Sequence, residues 1–157
     1  MVNIALIGFM GSGKTTIGKR LANQLGWSFL DSDILITEKE LNNRVSELGA
    51  QISLDYKDSE EFLLVCILRG AVVFLIDLAK HITVPHAMDF MAISSYGVGS
   101  RDSTGVVRIT MDLSTNISNK DVLIVEDIID SGNTLSYVLD LLSTRKPKSL
   151  NICTLLN

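Results

Sequence analysis

Apolar positions along this chain fall into two kinds of run, continuous and periodic, and their order predicts alternating strands and helices. Asn3 to Gly8 is a short apolar run ending in glycine, which suits a strand buried on both faces. From Thr15 to Leu25 the apolar residues spread to Ile17, Leu21 and Leu25 before Gly26, the spacing of a helix that stops at a glycine. Trp27 to Leu30 predicts a second short strand leading into Asp31-Ser32-Asp33. Thr37 and Glu40 make a capping box, with Leu41, Val45, Leu48 and Ile52 along one face of the helix behind it. A polar loop, Asp55 to Glu61, separates this helix from a strand at Phe62 to Leu68, a turn at Arg69-Gly70 and a helix at Ala71 to Lys80.

The second half continues the alternation. Met88 to Ser94 predicts a strand, the Gly- and Ser-rich Ser95 to Thr104 a mobile loop, Val106 to Met111 a strand and Asp112 to Lys120 a polar connection. Val122 to Glu126 is continuously apolar up to its last residue, Asn133 to Thr144 a helix with Leu135, Val138, Leu139 and Leu142 inward, and Leu150 to Leu156 a final strand. No internal repeat or low-complexity segment interrupts this order. The expected fold class is α/β, a mostly parallel sheet flanked by helices.

Composition narrows the setting. With 157 residues there is room for one domain with a real core, so residues 1–157 are expected to form a single α/β domain. The 46% hydrophobic and 20% charged content fits a soluble globular protein, and no run approaches the ~20 apolar residues that span a bilayer, so no membrane partner is expected. The opening MVNIALIGF lacks a basic leader and reads as a core strand, which points to the cytoplasm. Cys66 and Cys153 sit in apolar runs as small buried hydrophobes, and His81 and His86 lack metal-ligand spacing. A net charge of -4 argues against nucleic acid, so anionic ligands would be held locally by backbone amides and bound metal.

Chemistry concentrates in VLIVEDIIDSGNT, Val122 to Thr134. In an open α/β sheet ligands gather beyond the carboxyl ends of the strands, where Glu126, Asp127 and Asp130 would project. Such acids suit ribose hydroxyls and Mg2+, and Ser131, Gly132, Asn133 and Thr134 supply amides and hydroxyls at a helix N-terminus, a natural anion site. The pattern resembles the PRPP-binding signature of type I phosphoribosyltransferases. Residues 34–157 closely resemble hypoxanthine-guanine phosphoribosyltransferase, through RVSELGAQIS, LLVCILRGAVVF, DFMAISSYG and SLNICTLL as well as the signature.

That resemblance implies a Rossmann-like core that binds PRPP and a purine base. Glu126 and Asp127 would hold the ribose hydroxyls and metal, Asp130 would be the catalytic acid/base near N7 of the purine, and Ser131 to Thr134 would cradle the 5'-phosphate. Leu68, Arg69 and Gly70 correspond to the family's pyrophosphate loop, where a non-proline cis peptide precedes the basic residue. Ser95 and Tyr96 would belong to a loop closing over an oxocarbenium-like centre, and Asp112 to a second active-site loop. The family continues past the last strand with a lysine for the purine's exocyclic oxygen, a hood strand and a stacking aromatic residue. The purine pocket is therefore expected to be incomplete in this chain.

A second phosphate signal lies upstream. GFMGSGKT fits G-x-x-x-x-G-K-[ST], in which Gly8, Gly11, Ser12 and Gly13 let backbone amides wrap a phosphate, Lys14 reaches the terminal phosphates and Thr15 holds magnesium. With FLDSD after it, the segment resembles the start of shikimate kinase, which implies ATP at this P-loop, Asp31 near the metal and Asp33 on a substrate hydroxyl. The resemblance covers residues 1–33 and lacks that family's later arginines, glycine motif and lid.

The two resemblances meet around Asp31 to Ile36, and a fusion or chimera is the simplest account of the join. Asn3 to Gly8 would then fill a vacant position in the transferase sheet, or the fragment would pack as an appendage and leave an edge that invites a homo-oligomer. Three functions follow: a purine phosphoribosyltransferase with impaired turnover, a P-loop ATP or phosphate-binding module, or a folded chimera without activity.

Overall fold

The structure, a computed structural model, describes residues 14–26, 36–96, 106–129 and 132–156. The chain divides into two compact units, residues 1–41 and 42–157. In the first, α1 spans Lys14–Leu25. Its buried line is Gly18 and Ala22, whereas Ile17 and Leu25, expected inward, are exposed and Leu21 is half-buried. Buried positions fall one residue along from the apolar stripe. The predicted strands at Asn3 to Gly8 and Trp27 to Leu30 lie outside the described residues, as does the predicted loop Ser95 to Thr104 from Gly97 on, whereas Ser95 and Tyr96 belong to a strand.

Helix α2, Glu38–Asp55, opens on the predicted capping box. Glu40 Oε2 accepts from the Thr37 amide at 2.8 Å, and the Glu40 amide donates to Thr37 Oγ1 at 3.2 Å, so two otherwise orphaned donors are satisfied reciprocally. Val45, Gly49 and Ile52 form the buried line, with Leu48 packed against it and Leu41 exposed in the first turn. At Gly49 a Cβ would run into His81, meeting its Cβ and its backbone carbonyl. Only a residue without a side chain lets the two backbones lie this near.

The sheet of the second unit contains β1 (Phe62–Leu68), β2 (Ala87–Tyr96), β3 (Val106–Met111), β4 (Asp121–Ile128) and β5 (Ser149–Leu156). Their order is β3-β2-β1-β4-β5, with β1 parallel to β2 and β4, β4 parallel to β5, and β3 antiparallel to β2. The apolar run FLLVCIL makes β1 the central strand, buried along almost its whole length. Alternation sends Leu64, Cys66, Leu123 and Val125 to one face, under α2 and α3 (Val72–Ala79). Leu63, Val65, Val122 and Ile124 go to the other, under α4 (Asn133–Ser143), where Leu135, Val138 and Leu142 are buried and Leu139 packs as predicted. Both cysteines are buried free thiols.

The amino-terminal ends of the strands are tied together by carboxylates. Asp121 accepts from Ser59 Oγ at 2.6 Å, Ser149 Oγ at 2.7 Å and Lys148 Nζ at 3.1 Å, joining the starts of β1, β4 and β5. Asp89, a buried charge inside the apolar run MDFMAI, accepts the Thr115 amide at 2.8 Å and the Ser114 hydroxyl, bracing the connection before β4. Asp112 accepts from Arg145 Nη2 at 2.8 Å. The segment after Asp112 runs on to the start of β4, and Arg145 follows the end of α4.

Burial pushes the Asp121 carboxyl up, but hydrogen bonds from Ser59, Ser149 and Lys148 outweigh it and hold its pKa below the ordinary 3.8. A carboxylate depressed in the folded state contributes stability above its unfolded pKa, and that contribution is lost as pH falls through the folded one. Asp121→Asn is therefore expected to cost about 1–3 kcal/mol near neutral pH. Urea midpoints followed from about pH 6 down to about pH 3 should fall less steeply for the variant than for the parent chain.

Candidate active site

The strand order has a switch point. From β1 the chain crosses to β2 on one side, and from β4 to β5 on the other, so the loops leaving β1 and β4 diverge and open a crevice beyond their carboxyl ends. The residues predicted for phosphoribosyl chemistry leave from these two strands. Leu68 ends β1 and is joined to Arg69 by a cis peptide, as the resemblance implied. Arg69 and Gly70 are exposed in the turn before α3. Glu126 and Asp127 lie near the end of β4, whose Val125 is in register with Cys66 of β1.

Successive residues of a strand face opposite ways, so Asp127 continues the α3 face of Leu123 and Val125, and Glu126 the α4 face of Val122 and Ile124. Asp127 is thereby brought against the turn after β1. A Cβ built on Gly70 would stand 3.3 Å from Asp127 Oδ2 and 3.4 Å from Oδ1. Asp127 Oδ1 also accepts the Ile128 amide at 2.9 Å.

The electrostatics of this end differ from those at the other. Burial, then the adjacent Asp127 charge, pushes the Glu126 carboxyl up to about 7, and the Asp127 amide only partly offsets this. Burial, then the charges of Glu126 and Asp127, likewise pushes the Cys66 thiol up to about 11. Among the described residues neither carboxylate takes part in an ion pair. The pair therefore carries negative potential toward the crevice without a protein cation to neutralise it.

Past β4 the chain reaches Gly132 with φ 74°, and α4 begins at Asn133 without a side-chain cap. The left-handed conformation there favours glycine. Uncapped amides at the head of an 11-residue helix form an anion-binding end, and Thr134 is exposed beside them. Ser95 and Tyr96 close β2, whose pairing with β3 runs beyond the last residue paired to β1. Asp130 and Ser131 lie outside the described residues, as do Gly8, Gly11, Ser12, Gly13 and Asp31. Lys14 and Thr15 open α1 in the first unit.

The structure thus brings Gly70, in the turn after Leu68 and Arg69, close to Asp127, which follows Glu126 near the end of β4. Sequence reading missed the Gly70–Asp127 contact and the raised Glu126. A signal for the second was present, since an acid following VLIV without a nearby lysine or arginine is a candidate for desolvation. Among the described residues no three His, Cys, Asp or Glu side chains cluster as a ready metal cage. A pair of strand-end carboxylates instead suits a magnesium ion that keeps its waters and shares its ligands with a phosphate substrate. Also among the described residues, no helix is long and apolar enough to cross a membrane.

Comparison with known proteins agrees with this geometry. A family described as phosphoribosyl transferase domain matches residues 33–157. The hypoxanthine-guanine phosphoribosyltransferase of Dictyostelium discoideum is 51% identical over 130 residues, which are 81% of this chain and 72% of that protein. The hypoxanthine phosphoribosyltransferase of Salmonella typhimurium is 54% identical over 126 residues, 80% of this chain and 70% of that one. A crystal structure of a hypoxanthine phosphoribosyltransferase from Staphylococcus aureus superposes with a TM-score of 0.71 at 46% identity, covering 76% of this chain and 64% of that chain. Residues before 33 fall outside the family match.

A carboxyl whose pKa is raised on folding contributes stability below its unfolded value, here 4.5, and loses it as pH rises through about 7. Glu126→Gln keeps the shape without the charge. Its free energy of unfolding, from urea titrations, should equal the parent's near about pH 4.5 and exceed it at about pH 8, by ~1–2 kcal/mol after allowance for solvent screening.

Proposed function

The chain belongs to the phosphoribosyl transferase family, and on that footing we propose that it transfers the phosphoribosyl group of PRPP to hypoxanthine or guanine. The observation that carries this reading is the meeting of the LRG turn and the acidic pair across the β1–β4 switch point. Glu126 and Asp127 accept the ribose hydroxyls, and the head of α4, with Ser131, Gly132, Asn133 and Thr134, receives the 5'-phosphate. Arg69, exposed at the crevice, faces the pyrophosphate as it leaves. Asp130, just beyond β4, exchanges a proton with the purine near N7 while the ring nitrogen bonds to the ribose carbon. Ser95 and Tyr96 lead into the loop that closes over the site and excludes water from the oxocarbenium-like carbon.

The Glu126–Asp127 donor set fits Mg2+, which when bound neutralises charge on the leaving pyrophosphate. The reading includes self-association, supported by β5: this edge strand of the described sheet, SLNICTLL, carries no charge and no proline. Its cellular setting on this reading is the cytoplasm. Purine turnover is read from relatives longer than the matched region, so it stands on assay. With PRPP, hypoxanthine and Mg2+, the parent chain should release pyrophosphate and form inosine monophosphate. Asp130→Ala should cut kcat by about 10²–10⁴, whereas Arg69→Ala should act chiefly on the KM for PRPP. No product from the parent, or full kcat in Asp130→Ala, would sink the assignment.

A second ligand site is part of the proposal. The motif's lysine, Lys14, is the first residue of α1, the place a phosphate-wrapping loop assigns it. On this reading Gly8 to Thr15, with Asp31, form a P-loop for ATP or phosphate joined to the transferase core. Calorimetric titration should then show ATP binding that Lys14→Ala abolishes and PRPP binding that it leaves unchanged. Equal ATP binding by the variant would refute the P-loop site.

A further inference from the structure

We infer that Gly70 is a positioning residue, whose missing side chain lets the turn after β1 lie flat against the Asp127 carboxylate and so sets that acid for the ribose. The inference rests on the transferase reading of this crevice. Gly70 is not among the residues of positive φ, so its backbone does not call for glycine. Space does. A methyl group there would sit 3.3 Å and 3.4 Å from the two carboxylate oxygens and 3.6 Å from Cγ; the first distance is tighter than most Cβ contacts, so the carboxylate would have to give by a few tenths of an ångström.

Asp127 has little freedom to give way. Its Oδ1 is held by the Ile128 amide at 2.9 Å, and its backbone belongs to β4, paired on one side with β1 and on the other with β5. A methyl at residue 70 would therefore strain that hydrogen bond or turn the carboxylate. It would also cover both oxygens with an apolar group, removing directions from which a hydroxyl could donate. The consequence is a coupling: the turn assigned to the leaving pyrophosphate and the acid assigned to the ribose lie close enough that a side chain at residue 70 would displace the acid.

The test is a double-mutant cycle on the full chain, comparing the parent, Gly70→Ala, Asp127→Ala and the double variant by urea unfolding without ligand. PRPP titrations of the parent and Gly70→Ala in Mg2+, well below their midpoints, accompany it. The expected result is a lowered midpoint for Gly70→Ala only where the Asp127 carboxylate is present, together with ~10-fold weaker PRPP binding by the single variant. A merely structural glycine would leave affinity in the folded protein unchanged. Equal midpoint losses in both Asp127 backgrounds, or parental PRPP affinity in Gly70→Ala, would overturn the inference. If Gly70→Ala alone failed to fold, folding of the double variant would support it and failure of the double variant would overturn it. Absence of PRPP binding by the parent would remove the transferase reading and this role with it, while the urea cycle would still report the contact separately.

Discussion

The lateral pairing of β1 with β4 is the contact on which the rest of this structure depends. Both strands are apolar and buried on both faces, so each supplies an inward residue to two cores at once. Their register, Phe62 to Asp121 through Cys66 to Val125, carries the turn after β1 and the acids of β4 to the same level. Because the chain leaves these neighbours in opposite lateral directions, no crossover fills the space beyond their ends. The crevice is a consequence of topology, and its lining residues are those that happen to end the two strands.

The sheet handles negative charge in two opposite ways. Asp121 at the start of β4, Asp89 within β2 and Asp112 after β3 are bonded to hydroxyls, amides or cations, and each has its pKa held below the ordinary value. These acids fasten loops to strands. At the carboxyl ends, Glu126 is pushed up to about 7 because it is partly buried next to Asp127, with no protein cation against either in the described residues. An unrelieved charge of this kind costs stability and marks a place where a bound cation or hydroxyl-rich ligand would lower the free energy.

Glycine serves two distinct purposes in the same molecule. At Gly132 the backbone itself is left-handed, at φ 74°, and a Cβ there would meet nothing within 4 Å. At Gly49 and Gly70 the reverse holds: space is lacking, against His81 in one case and Asp127 in the other. The first use can be guessed from a Gly placed at the start of a helix. The second cannot, since it depends on what another part of the chain brings alongside.

That difference separates what the sequence by itself determined from what only the tertiary structure decided. Continuous apolar runs and helical periodicity were sufficient for β1, β3, α3 and α4 within a residue or two, for the Thr37–Glu40 cap and for the two buried cysteines, because hydrogen-bonding period and burial pattern are local. The signature after β4 also named its own chemistry, since acids and helix-head amides lie within thirteen consecutive residues. The Asp112–Arg145 pair, the desolvation of Glu126 and the meeting of Gly70 with Asp127 were decided elsewhere. Each depends on which distant segment becomes a neighbour. That follows from the order β3-β2-β1-β4-β5, which no local window encodes.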